Sequence, residues 1–119
     1  MRTMPLLLGA ALTVAVPLGL AASPVANAME LCPKKVKLRP EMPGDSPVYT
    51  TSNATSVRVG QLDKSGSLPL VRKNAGCTAV KGGEYRYDNG KASGISDRWA
   101  PVSFKGKVRY VPYAHVRFV

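Results

Sequence analysis

Beyond residue 28, apolar and polar positions alternate in short runs. No stretch there carries the three-to-four spacing of an amphipathic helix over ten residues or more. Val48-Tyr49-Thr50-Thr51 is β-branched and aromatic. Ser56–Leu62 alternates, so that Val57, Val59 and, after a kink at Gly60, Leu62 are expected to face inward. Leu68 and Leu70 point one way in Ser67–Arg72, where Pro69 marks an edge or a bulge. Cys77–Val80 and Glu84–Tyr87 follow, joined at Lys81-Gly82-Gly83, and the polar, glycine-rich Asp88–Gly94 reads as a loop. Arg98–Phe104 sets Ala100, Val102 and Phe104 on one face, and Lys105-Gly106 is a two-residue hairpin turn into Lys107–Val111. Pro112–His115 is a short turn before a last strand, Val116–Val119. Strands at intervals of roughly ten residues, with turns between, predict an all-β antiparallel sandwich or barrel. Val102, Phe104, Val108, Val111 and Val116 are its expected core.

The segment 29–46 reads differently. Pro33, Pro40 and Pro43, with Pro47 directly after it, withhold amide donors from any ladder, and Pro43-Gly44-Asp45 is a turn signal. The basic cluster Lys34-Lys35-Val36-Lys37-Leu38-Arg39 lies inside this segment, too short and too proline-flanked for an amphipathic helix. The expectation is an irregular, extended arm. Its charges are either a clamp for a polyanion or simply a solvated face.

Residues 1–28 read as a secretory signal peptide. Arg2 supplies the positive start, Leu6–Leu20 the apolar run, and Ala26-Asn27-Ala28 the small residues before a cut at Met29. The run is broken by Pro17 and Gly19 and falls short of the roughly 20 residues that a membrane span needs. The expected product is secreted, extracellular or wall-associated, with no stable membrane insertion.

Cutting 28 residues from 119 leaves 91, enough for one domain with a thin core. Cys32 and Cys77 form an even pair, and in an oxidising compartment the default is one disulfide tying the arm to the body. Loss of Arg2 lowers the formal net charge from +10 to +9. Such a balance favours polyanionic partners: envelope polymers, anionic lipid, or an acidic protein face. Export argues against a specific nucleic-acid ligand.

The run Trp99-Ala100-Pro101-Val102-Ser103-Phe104-Lys105-Gly106-Lys107-Val108-Arg109-Tyr110-Val111 resembles the closing hairpin of the bacterial SH3-like domain of exported, wall-associated proteins. The turn Pro112–His115 and strand Val116–Val119 fit the same pattern, as does Val59-Gly60-Gln61-Leu62 with Lys64-Ser65-Gly66-Ser67-Leu68 upstream. The resemblance covers about residues 47–119. It departs from the family at Arg109, where glycine is usual before the aromatic, and in the long stretch 77–97. It implies a small SH3-like antiparallel barrel over 47–119 that binds cell-wall peptide or glycan, or an envelope protein.

Catalytic chemistry is poorly represented. The single histidine, His115, sits in a tight turn, no serine occupies a nucleophile elbow, and there is no phosphate loop. Two cysteines and one histidine lack the number and spacing of a metal site. The expectation is a binding protein with no enzymatic role, no cofactor and no metal. Candidate binding residues are the rings Tyr85, Tyr87, Trp99, Tyr110 and Tyr113, with Arg86, Arg98 and Arg109 as cationic neighbours. A ring offers flat apolar area at low entropic cost, which suits sugars, peptides and protein surfaces. Tyr85 and Tyr87, two apart on one strand, are the expected exposed pair. Two other readings are an adaptor or hydrolase inhibitor acting on a secreted protein, and a membrane-active cationic protein. The second is disfavoured because no amphipathic helix accompanies the charge.

Overall fold

The computed structural model describes residues 29–119; the secretory signal expected at 1–28 lies outside the described residues. The described chain is all β with no α-helix. Its strands are β1 (Leu31–Leu38), β2 (Ser46–Tyr49), β3 (Arg58–Leu62), β4 (Leu68–Val71), β5 (Val80–Asp88), β6 (Ser93–Phe104), β7 (Lys107–Pro112) and β8 (Val116–Phe118). A 3-10 turn, Tyr113–His115, separates the last two. All pairings are antiparallel, in the order β3-β2-β7-β6-β4-β1-β8, with β5 joined to β6 off this path.

The N-terminal segment is not an irregular arm over its whole length. Leu31–Leu38 is a strand wedged between β4 and β8, and Met29-Glu30 and the stretch from Arg39 to Asp45 stay out of the strands. Pro33 is tolerated because the β1–β4 register shifts between Leu31 and Lys35, so the missing donor falls in a bulge. The basic cluster then alternates. Val36 and Leu38 point into the core while Lys34 and Lys35 stay in solvent. The disulfide Cys32–Cys77 is present, with Cα atoms 5.9 Å apart, and ties β1 to the segment between β4 and β5.

The sheet is not closed. β8 pairs with β1, so β3 and β8 remain the two ends of the ladder and do not meet. The closed barrel expected from the sequence is therefore not what forms.

The stretch 77–97 folds into the longest hairpin rather than into two short strands and a loop. β5 runs unbroken through Gly82-Gly83, the register shifting between Lys81 and Tyr85, and β6 begins at Ser93 instead of Arg98. The glycines are needed for close approach and not for turning: a Cβ at Gly82 would collide with the Ser52 carbonyl oxygen and with the Trp99 indole. At the hairpin tip Gly90 has φ +83°, and a Cβ there would run into the Glu41 carbonyl. The tip is thus pressed against the 39–42 segment.

The Lys105-Gly106 turn forms as expected, with φ of 52° and 80°, the paired positive values of a tight two-residue hairpin loop. The core gathers Cys32, Val36, Leu38, Met42, Val48, Leu62, Leu70, Ala100, Val102, Val111 and Val116. Phe104 packs on its margin, Val108 is half-buried, and Val57, expected inside, is 66% exposed just ahead of β3.

Candidate functional site

The β5–β6 hairpin, the 39–42 segment and the 3-10 turn enclose a groove of about 570 Å³. Arg39 lines one wall; Asn89, Lys91 and Ala92 come from the hairpin tip; Tyr87, Ser96 and Arg98 from its strands; Tyr113 and Ala114 from the 3-10 turn. Three of these side chains are cationic and none is acidic.

Two residues fix the shape. Tyr85 is 8% exposed; its hydroxyl donates to the Arg98 carbonyl and accepts the Ala114 amide, pinning both hairpin and turn. Burial pushes the Tyr85 hydroxyl pKa above its ordinary value, so the group stays a proton donor at any physiological pH. Asn89 is 6% exposed and its amide is bonded through both ends: Nδ2 donates to the Ala114 carbonyl at 2.8 Å, and Oδ1 accepts the Lys91 and Ala92 amides at 3.0 and 2.8 Å. The hairpin and the 3-10 turn that wall the groove are thus hydrogen-bonded to each other.

Beneath it lies an aromatic stack. Trp99 is fully buried, edge-on to Tyr85 at 5.0 Å and to Tyr49 at 5.7 Å, and its Nε1 donates to the Gly83 carbonyl at 2.9 Å. Of the rings expected to bind, Trp99 thus offers no face to solvent, and Tyr85, largely buried, does not line the groove. The pair Tyr85/Tyr87 is split by burial, since only Tyr87 reaches the groove. Tyr113, 37% exposed, lines the groove from the 3-10 turn, and Arg98 lines it from β6. Arg86 lines a smaller depression of about 210 Å³ with Glu84, Tyr85 and Ile95. Arg109 and Tyr110 are on β7 and do not line the groove.

Arg39 belongs to the basic cluster that the sequence offers as a polyanion clamp, whereas Lys91 carries no signal beyond its place in a polar loop. The long-range packing of Gly90 on Glu41, which brings the two together, has no mark in the sequence.

Comparison with protein-family models, curated proteins and solved structures finds no match to this chain. The site is accordingly read from its own chemistry. Among the described residues, no three His, Cys, Asp or Glu side chains are grouped as metal ligands.

His115 belongs to the packing behind the groove. Its Nδ1 lies 2.8 Å from the hydroxyl of Ser46, which is fully buried, and its ring stands 6.1 Å from that of Tyr85. Burial lowers its pKa below the ordinary value, so the neutral ring, with Nδ1 sharing a hydrogen bond with the Ser46 hydroxyl, is the native form. A histidine with a lowered folded pKa binds more protons when unfolded. Its contribution to stability is complete above the unfolded value, about 6.5, and is lost as pH falls from there toward the folded value. Thermal melts should show the melting temperature dropping between pH 7.5 and pH 5, and His115→Asn should flatten that drop. A variant with an unchanged slope would remove His115 from the account.

Proposed function

We propose that this chain is a secreted, noncatalytic binding module of the bacterial SH3-like type that recognises cell-wall peptide or glycan. The observation that carries the reading is the groove itself. It is a braced concavity in which the rings of Tyr87 and Tyr113 stand beside Arg39, Lys91 and Arg98, with no acid in the lining. Partly exposed rings take the apolar face of a sugar or peptide, while guanidinium and ammonium groups supply directional donors. A disulfide-linked fold and the export signal read at 1–28 agree with work outside the cytoplasm. The SH3-like assignment rests on the turn and strand pattern from Val59 to Val119; here the N-terminal strand β1 is added to that pattern.

Purified protein mixed with insoluble peptidoglycan and centrifuged provides the test. Pelleting that persists in about 0.5 M salt, where the screening length is only a few ångströms, is the expected result. Pelleting abolished by that salt reduces the interaction to bulk charge and removes the wall-recognition reading. In that event a secreted protein partner, sought by pull-down from culture supernatant, becomes the leading alternative.

A further inference from the structure

The cationic side of the groove carries a more specific message than net charge. Arg39 has the one buried side-chain polar atom among the described residues that lacks a hydrogen-bond partner: its Nε. A buried donor on a charged group is costly to leave unmet, and native structures rarely do so without a reason. The backbone amide of Arg39 is bonded to the His115 carbonyl at 3.0 Å, so the base of this side chain is held in place while its Nε–H stays unused. Lys91 and Arg98 line the same groove. Asp97 approaches Arg98 Nε at 4.0 Å, with both side chains more than a third exposed, a weak and solvated contact. Three cations therefore share one concavity whose lining contains no acid.

We propose that this groove is an oxoanion subsite for an acidic glycopolymer. A phosphodiester or carboxylate is received by Arg39, Lys91 and Arg98, and the adjoining sugar or polyol lies against Tyr87 and Tyr113. The inference rests on the wall-binding reading and names its ligand class. Guanidinium donors match the geometry of either oxoanion. Phosphodiester and carboxylate polymers share this chemistry, so the experiment separates them.

The full secreted chain is titrated calorimetrically, at about 0.15 M salt where the screening length is near 8 Å, with polyglycerol phosphate, polygalacturonate and neutral dextran. The expected result is binding to one or both anionic polymers and none to dextran. Lys91→Gln/Arg98→Gln, both at exposed positions, should weaken binding about tenfold or more, the scale of losing a charge-assisted hydrogen bond. Lys105→Gln/Lys107→Gln removes the same charge at the exposed β6–β7 turn, outside the groove, and should change affinity by less than about twofold, as a screened distant pair. Arg39→Lys keeps the charge, replaces the planar guanidinium fork with a point charge and should weaken binding while leaving the melting temperature in place. Equal losses in the two double variants, or no binding to either anionic polymer, would overturn the proposal. Peptidoglycan pelleting that survives high salt in the latter case would leave the wall-binding reading standing without this subsite.

Discussion

Trp99→Ala is expected to be the most damaging single substitution in the domain. The indole is fully buried at the centre of β6, flanked edge-on by Tyr49 and Tyr85. Truncating a buried tryptophan costs about 3–5 kcal/mol, against a total near 5–15 kcal/mol for a domain of this class. In a domain of this size that lowers the melting temperature by roughly 12 °C or more, if the variant folds at all. Trp99→Phe separates the contributions. It keeps a ring between the two tyrosines but leaves the Gly83 carbonyl without its donor, a loss of about 1–3 kcal/mol. Trp99 is the chain's single tryptophan, so fluorescence gives an independent check: emission should be blue-shifted and resistant to iodide quenching. A melting temperature within about 3 °C of the parent, under 1 kcal/mol on the same scale, would mean that Trp99 is not the keystone of the hairpin.

The second large effect is loss of the Cys32–Cys77 link. The bridge closes 45 residue steps of chain, and by loop-closure entropy it is worth about 4 kcal/mol. Its position adds a local consequence. β1 owes its place in the sheet to Cys32 at one end and to Val36 and Leu38 at the other. The double variant Cys32→Ala/Cys77→Ala, free of stray thiols, should melt well below the parent. It should also exchange its β1 amides faster than those of the β6–β7 hairpin. Reduction of the parent protein should reproduce both effects. An unchanged melting curve after either treatment would show that packing alone retains β1.

The part of the fold legible in the sequence was the part governed by local rules. Alternation in 98–104 and 107–111 with Lys105-Gly106 between them specifies one hairpin, because residue period and turn chemistry agree there. The pairing of the two cysteines was equally open to reading, since two thiols leave one partner choice. Reading failed where a local signal had a non-local cause. Gly82-Gly83 resembles a turn but is a contact surface for Ser52 and Trp99. Pro33 resembles a strand breaker but sits where the register already slips. Tyr85 and Trp99 resemble ligand-binding rings, yet the hydroxyl and indole N–H are consumed inside the protein, by the Arg98 and Ala114 backbone and by Gly83.

The same division holds for the site. Short-range chemistry in the chain determined an all-strand, disulfide-linked domain with surplus positive charge, because strand period, turn residues and thiol count act over a few positions or none. Tertiary structure alone decided that β1 joins the sheet and that the sheet stays open. It also decided that Arg39 meets Lys91 and Arg98 across a distance of more than fifty residues. That meeting depends on the fit of Gly90 against Glu41 and of Asn89 against Ala114, and shape complementarity between distant segments leaves no periodic trace in either one.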